Sequence, residues 1–348
     1  MEDAIMIIGF ALASYSVVGN DVIQTLGTFL TSNEDKPWWL LFLFAGGILG
    51  SILTIGYFGL VEPLGLEGLL GGTDVAFDRL DKIDIPEKLS GWYLLPPLVL
   101  LFVTRFGIPV STTFLILTFF SAKSFPGMLN KSLFGYFVAF VFSWMMFMVL
   151  SDLLEKKFSK QPLGSGSGLL HNRTLWTIAQ WLSTAFLWVQ WLTQDLANIY
   201  IYLGRPEELS LEMFLLSLVI ILGLLAYIFR QRGGVIQGIV RAKSNTSDIR
   251  SAAFINLIYG ICLLIFKNNI LGLWDAKLPM STTWVFLGLL AGREVAMRMR
   301  IGPKPDKSLS MMLFSDLGKA TLGLIVSVVL VIILYGVLGK DMTVLWEF

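Results

Sequence analysis

Long apolar runs divide the 348-residue chain, with short polar segments between them. Trp38–Leu60, Ser132–Leu154, Leu211–Phe229 and Leu317–Leu338 each approach the roughly 20 apolar residues that carry a helix across a bilayer core. A soluble core does not need so many runs of that length. The pattern predicts an all-α polytopic membrane protein. Composition agrees: 55% of residues are hydrophobic, 15% are charged, and the mean hydropathy is +0.73. An ordinary soluble domain carries about 25% charged residues. The start, "MEDAIMIIGF", is acidic and lacks the basic leader of a cleaved signal, so the first helix is expected to be mature structure.

Polar residues interrupt the apolar pattern twice in the same grammar. "GNDVIQ" (19–24) is followed by "GIPVSTT" (107–113), and "TQDLAN" (193–198) by "KLPMSTT" (277–283). Asp21 lies 90 residues before Ser111, and Asp195 lies 86 before Ser281. Between the halves, "KKFSKQPLGSGSGLLHNR" (156–173) alternates Gly and Ser among lysines, the composition of a flexible, solvated connector. The expected organisation is a first repeat over 1–155, a cytoplasmic linker over 156–172 and a second repeat over 173–348.

Each repeat is expected to hold about three spanning helices, the first broken near Gly19 in repeat one, plus a re-entrant hairpin carrying Pro-x-Ser-Thr-Thr. Three is odd, so the second repeat is inverted. Lys and Arg favour short cytoplasmic loops. In this topology the cytoplasmic side takes Lys36, the linker lysines, Arg173, Arg230, Arg232, Arg241, Lys243, Arg250 and the basic segment from Arg293 to Lys307. The outside takes fewer: Arg79, Lys82, Lys88, Lys123, Lys131, Arg205 and Lys340. Both termini are expected outside, and the bilayer is the plasma (inner) membrane.

An ionised Asp at mid-membrane costs at least ~2.5–3.5 kcal/mol and marks a functional position by default. Asp21 follows a mostly apolar stretch, and Asp195 lies late in another. The alternative for each is a cap at the membrane surface. Proline suits the first turn of a helix, where no N–H is needed, so Pro109 and Pro279 are expected to open helices. Their Ser-Thr-Thr hydroxyls then join free backbone N–H groups, a ready place for an anion. Helix capping alone would also use these residues. The expected division is Ser111, Thr112, Thr113, Ser281, Thr282, Thr283, Asn20 and Gln194 for a tetrahedral oxyanion. Asp21, Gln24, Asp195 and Asn198 are hard oxygen ligands for Na⁺, with a proton on either Asp as the other coupling scheme.

Other residues narrow the chemistry. One cysteine, Cys262, excludes an intramolecular disulfide and a multi-Cys metal site. One histidine, His171, leaves no histidine relay. No nucleophile–base pair suggests an enzyme, no cofactor is implied, and no nucleic-acid signature is present. Arg105 reads as an anion guide or, more simply, as a snorkelling or Asp-paired side chain. Trp38, Trp39 and Trp92 read as interface anchors, and "AGGILGS" (45–51) as close helix packing.

The motifs then resemble a family. "GNDVIQTLGT" and "IPVSTT" are similar to the signatures of Pit-type inorganic phosphate transporters, G-A-N-D-V-A-N-A-x-G-T and P-x-S-T-T-H, each present twice in inverted repeats. "QDLAN", "RQRGGVIQGIV" and "LPMSTTWVFLGLLAG" extend the likeness, which runs from about Gly19 to Lys319. The resemblance implies a symporter that binds phosphate and Na⁺ or H⁺ at the membrane centre through these residues, by one repeat bundle rocking against the other. A homodimer is left open. The chain departs from the pattern at Phe114 and Trp284, which replace the motif His, and at Gln24 and Gln194, which replace Asn. The second span also lacks an expected Glu. A proton-coupled sulfate permease of the same fold is therefore the alternative, with an anion channel as a rival class. Two buried Asp residues argue against a simple anion pore.

Overall fold

The computed structural model describes residues 2–70, 75, 77–86, 88–105, 110–151, 163–164, 168–232, 248–301 and 309–339, which are helical without strands. The chain opens with α1 (Glu2–Val17), a π-helical turn (Val18–Val22) and α2 (Ile23–Ser32). Then come α3 (Trp38–Tyr57), the short α4 (Glu67–Leu70), a 3₁₀ turn (Phe77–Lys82) and α5 (Leu95–Arg105). A π-helical turn (Thr113–Leu117) leads into α6 (Thr118–Phe120), and α7 (Phe125–Ser151) ends the first half. The second half holds α8 (Arg173–Asp195), α9 (Ala197–Tyr200), α10 (Leu211–Arg230), α11 (Ile249–Lys267), α12 (Thr282–Ile301) and α13 (Leu309–Leu338).

Local chemistry sets the starts of several helices. Asn172, Ser210 and Asp248 accept from the backbone N–H of Leu175, Met213 and Arg250 at 3.0, 3.2 and 2.9 Å, capping α8, α10 and α11. Among the described residues, six helical segments are long and apolar enough to cross a membrane: Asp3–Val22, Trp38–Tyr57, Ala122–Leu150, Leu211–Arg230, Ile249–Lys267 and Ala320–Val337. The protein is an all-α polytopic membrane protein, as the hydropathy pattern predicts.

Two helical rods form the centre. The α1–α2 rod and the α8–α9 rod run antiparallel. Asn33 meets Gln180 at 3.0 Å at one end, and Phe10 meets Tyr200 at a ring separation of 5.3 Å toward the other. Along each rod, Asp21 and Asp195 lie between these two contacts. Gly19 sits inside the π turn, so the first rod is widened there rather than unwound, and Asn20 and Asp21 are re-aimed by the extra residue.

The hairpins differ from two equal arms. In the first half Tyr93, just before α5, packs edge-on against Phe119 at 5.4 Å, which sets the start of α5 beside α6. In the second half α11 is long enough to cross in one pass. The chain then turns back through residues 268–281 to reach α12. Lys131 of α7 holds this return by donating to the carbonyls of Asp275, Ala276 and Leu278 at 2.8, 3.2 and 2.7 Å.

Charged contacts fall into two groups at opposite ends. Arg232 donates to the Glu34 and Lys36 carbonyls, Arg173 pairs with Asp35 at 3.7 Å, and Arg250 reaches the Leu170 carbonyl. At the other end Lys82 pairs with Asp275 at 2.7 Å, Lys123 with Asp84 at 2.5 Å, and Asp81 with Arg205 and Lys277.

Candidate functional site

The two Ser-Thr-Thr segments meet between the rods. Helix α12 starts at Thr282, and Ser281 accepts from the Trp284 N–H at 3.3 Å as an N-cap. Ser111 accepts from the Phe114 N–H at 3.2 Å in the same way. Pro279 therefore precedes its helix instead of opening it, because the serine hydroxyl takes the capping position. Pro109 and the side chains of Gln24 and Arg105 lie outside the described residues, as do the linker lysines. The Ser281 N–H is tied to Ser132 Oγ of α7 at 2.8 Å, and the Tyr259 hydroxyl of α11 donates to the Thr282 carbonyl at 3.1 Å. Both contacts fall well inside the spans of α7 and α11.

The hydroxyls bridge the halves. Thr112 Oγ1 donates to Asp21 Oδ2 at 2.7 Å. Asn20 Nδ2 contacts Asp21 Oδ1 at 2.7 Å and the Val110 carbonyl at 2.8 Å. From the other rod, Asn198 Nδ2 lies 3.0 Å from Thr112 Oγ1, 3.3 Å from Thr113 Oγ1 and 3.0 Å from Asp195 Oδ1. Thr113 Oγ1 faces Asp195 Oδ1 at 3.4 Å and the Met280 carbonyl at 3.3 Å, and Thr283 Oγ1 faces the Val110 carbonyl at 3.5 Å. A continuous chain thus runs Asp21–Thr112–Asn198–Asp195. All these side chains are buried.

Two acceptors in this cluster have no donor: Asn20 Oδ1 and Asp195 Oδ2 are buried without a hydrogen-bond partner. An unsatisfied buried oxygen costs about 1–3 kcal/mol, more when charged. Only Thr112 and Asn198 stand between the two carboxylates along this hydrogen-bonded chain. Carboxylate, amide and hydroxyl oxygens in a dry setting are a donor set for a hard cation.

Gln194 stands apart from the other expected site residues. Its Oε1 and main-chain O accept from the Arg79 guanidinium, both at 3.1 Å, and its Nε2 points to the Gln190 and Leu263 carbonyls. It is turned away from the tips, toward α11. Arg79 belongs to a segment that the charge bias assigns to the outer side of the membrane, and its side chain is buried, at 2% exposure. The segment around it packs Phe77, Leu80 and Ile83 into the core, so apolar neighbours carry the guanidinium inward. Sequence reasoning missed Arg79, Tyr259 and Ser132 as neighbours of the site. The apolar alternation of Phe77, Leu80 and Ile83 was the one available signal.

Phe114 and Trp284 pack against each other edge-to-face, with ring centroids 6.2 Å apart and planes at 88°. The two positions that depart from the motif His therefore form one aromatic contact between the helix starts.

A solved structure described as "The sodium-dependent phosphate transporter" is similar to this chain, with a TM-score of 0.56 over 94% of this chain and 95% of that one. The fold is that of a membrane transporter. Sequence identity to that structure is 16%, so the likeness speaks to the fold alone. No family model matches the sequence, and no curated protein matches it.

Proposed function

We propose that this protein is a secondary transporter that moves inorganic phosphate together with Na⁺ by alternating access. The observation that carries the reading is the hydrogen-bonded pair of buried carboxylates, Asp21 and Asp195, set between two Ser-Thr-Thr helix starts. The fold shared with a sodium-dependent phosphate transporter supports the substrate class. The doubled motifs support it independently.

The geometry suggests how the two substrates depend on each other. A threonine hydroxyl has one proton to donate. Thr112 gives its proton to Asp21, and Thr113 directs its own toward Asp195 or Met280. An oxyanion arriving between the helix starts takes these donors, together with the free protons of the capping Ser111 and Ser281. The carboxylates then lose their donors, and Na⁺ replaces them. Conversely, Na⁺ on the carboxylates releases the hydroxyls toward the anion. Each ligand raises the affinity for the other by the same factor. Thr282 and Thr283 extend the donor set from the second tip. Asn20 Oδ1 and Asp195 Oδ2 are the oxygens in want of a partner that Na⁺ would satisfy.

The test is uptake of labelled phosphate by proteoliposomes. Uptake is expected only with an inward Na⁺ gradient, and labelled sulfate with a pH gradient should not replace it. Sulfate uptake driven by protons alone would favour a sulfate permease. Anion flux without coupled cation flux would favour a channel.

A further inference from the structure

The mechanism above leaves several buried cations unused: Arg79, Lys131, Arg250, Lys267 and Arg293 among the described residues. Of these, Arg79 is the one bonded to the residue that precedes Asp195. Arg79 sits on the 3₁₀ turn Phe77–Lys82, outside the spanning helices, yet its guanidinium is buried. Both terminal nitrogens bond Gln194, the residue before Asp195, at its main-chain and side-chain oxygens. Gln194 directly precedes Asp195, so these two bonds hold the guanidinium charge beside the Asp195 backbone. A buried guanidinium is costly without an opposite charge, and an arginine stays protonated at any working pH. Among the described residues the neighbourhood holds two carboxylates and two buried cations: Arg79, and Lys267 of α11, which donates to Gln190 Oε1 at 2.8 Å and Thr193 Oγ1 at 3.3 Å in the turn of α8 that leads to Gln194 and Asp195.

The segment that bears Arg79 is held at one end of the bundle. Asp81 pairs with Arg205 and Lys277, Lys82 pairs with Asp275, and the Lys82 carbonyl accepts from Ser124 Oγ at 2.8 Å. Asp84 pairs with Lys123. These partners come from the α7 start, the loop before α10 and the return before α12. All three are half-exposed surface elements, so their ion pairs are individually weak and separable. Phe77 packs edge-on against Tyr200 beneath them at 5.1 Å.

We propose that Arg79 is a tethered cation of the transport site, which neutralises the Asp195 side while its segment is seated and competes there with the dissolved coupling ion. This inference rests on the reading of a Na⁺-coupled transporter. It assigns the Phe77–Lys82 segment a role in setting how much Na⁺ the site demands.

The experiment measures phosphate uptake into proteoliposomes against Na⁺ concentration, with equilibrium ²²Na⁺ binding to the purified protein alongside. Arg79→Gln removes the competing charge and keeps a hydrogen-bonding side chain. The half-saturating Na⁺ concentration is expected to fall by about tenfold, the scale of losing one nearby charge, and one more ²²Na⁺ is expected to bind at saturation. Arg79→Lys keeps the charge and is expected to stay near wild type in both readouts. A purely structural role would lower protein yield or turnover without tightening Na⁺ binding. A raised half-saturating phosphate concentration with unchanged Na⁺ dependence would make Arg79 an anion ligand and overturn the proposal, as would an Arg79→Gln protein with wild-type Na⁺ dependence. If Arg79→Gln does not fold, Asp81→Asn decides: it loosens the segment from outside the site and should lower the half-saturating Na⁺ concentration, and a folded variant showing no change rejects the idea. Wild-type protein without Na⁺-driven phosphate uptake would sink the transporter reading and this inference together, whereas wild-type uptake with Na⁺-insensitive variants would sink this inference alone.

Discussion

Thr112 is the residue on which the proposed coupling turns, because its single proton sits on Asp21. Thr112→Val keeps the shape and removes the donor. Phosphate affinity in that variant should no longer rise with Na⁺, which isothermal titration with and without Na⁺ would read directly. Asp21→Asn and Asp195→Asn should each abolish or uncouple transport while the protein still melts cooperatively. Near wild-type coupled uptake in both would remove the cation assignment. Much of this cluster was legible in the sequence, since a carboxylate flanked by amides and followed by Ser-Thr-Thr occurs twice at nearly equal spacing. Gln194 was not. Exchanging Asn for Gln across the halves adds one methylene, and that extra reach carries the amide to Arg79 and Leu263 and away from the tips. Arg79 was hidden for another reason: Phe77, Leu80 and Ile83 mark a buried face at a spacing of three, and Arg79 falls off that spacing among Asp78, Asp81 and Lys82.

Between helices, close approach depends on small residues. Gly288 and Gly292 of α12 face α7 at a spacing of one turn, and a Cβ at either would collide with the carbonyl of Tyr136 or Phe140. Gly135 lies on the same seam against Val285. Gly288→Leu should therefore destabilise the protein by about 1–3 kcal/mol or more, seen as an earlier melt in detergent. A second contact is polar. Thr25, Thr28 and Ser32 lie on one face of α2 with Asp21, and Thr28 Oγ1 donates to Asn256 at 2.6 Å, which donates to Thr184 at 2.8 Å. Asn256→Leu would strand the Thr28 hydroxyl, at a cost of about 1–3 kcal/mol, while Thr184 keeps its bond to the Gln180 carbonyl at 2.7 Å; the same melt would register the loss. Hydropathy revealed these helices but not their partners. It could not separate a π turn from a true break at Gly19, since both place polar residues in an apolar run. Nor could it separate a re-entrant arm from a full crossing in α11, since an apolar helix of 19 residues suits either.

Across the whole molecule, charged contacts gather in two groups: Lys36, Arg173, Arg232 and Arg250 in one, and Lys82, Lys123 and Arg205 in the other. What the chain order conceals is how its halves are joined. Helix α7, the last span of the first half, lies along α12 of the second. Helix α13, the last span of the second half, packs on the Thr113–Phe120 helix of the first, and Tyr335 OH accepts from the Ala122 N–H at 3.1 Å. Each half lends its final helix to the other's Ser-Thr-Thr segment. A motion that parted residues 1–155 from 173–348 would strip both segments of their supports. In the proposed transport cycle the moving bodies are then mosaics, each assembled from both stretches of sequence. Spin labels at Phe137→Cys in α7 and Met299→Cys in α12, with buried Cys262 replaced by Ala, should keep one distance whether Na⁺ and phosphate are present or absent. Gene order and mechanical order are different partitions of this protein, and the glycines of α12 are the rivets that make them so.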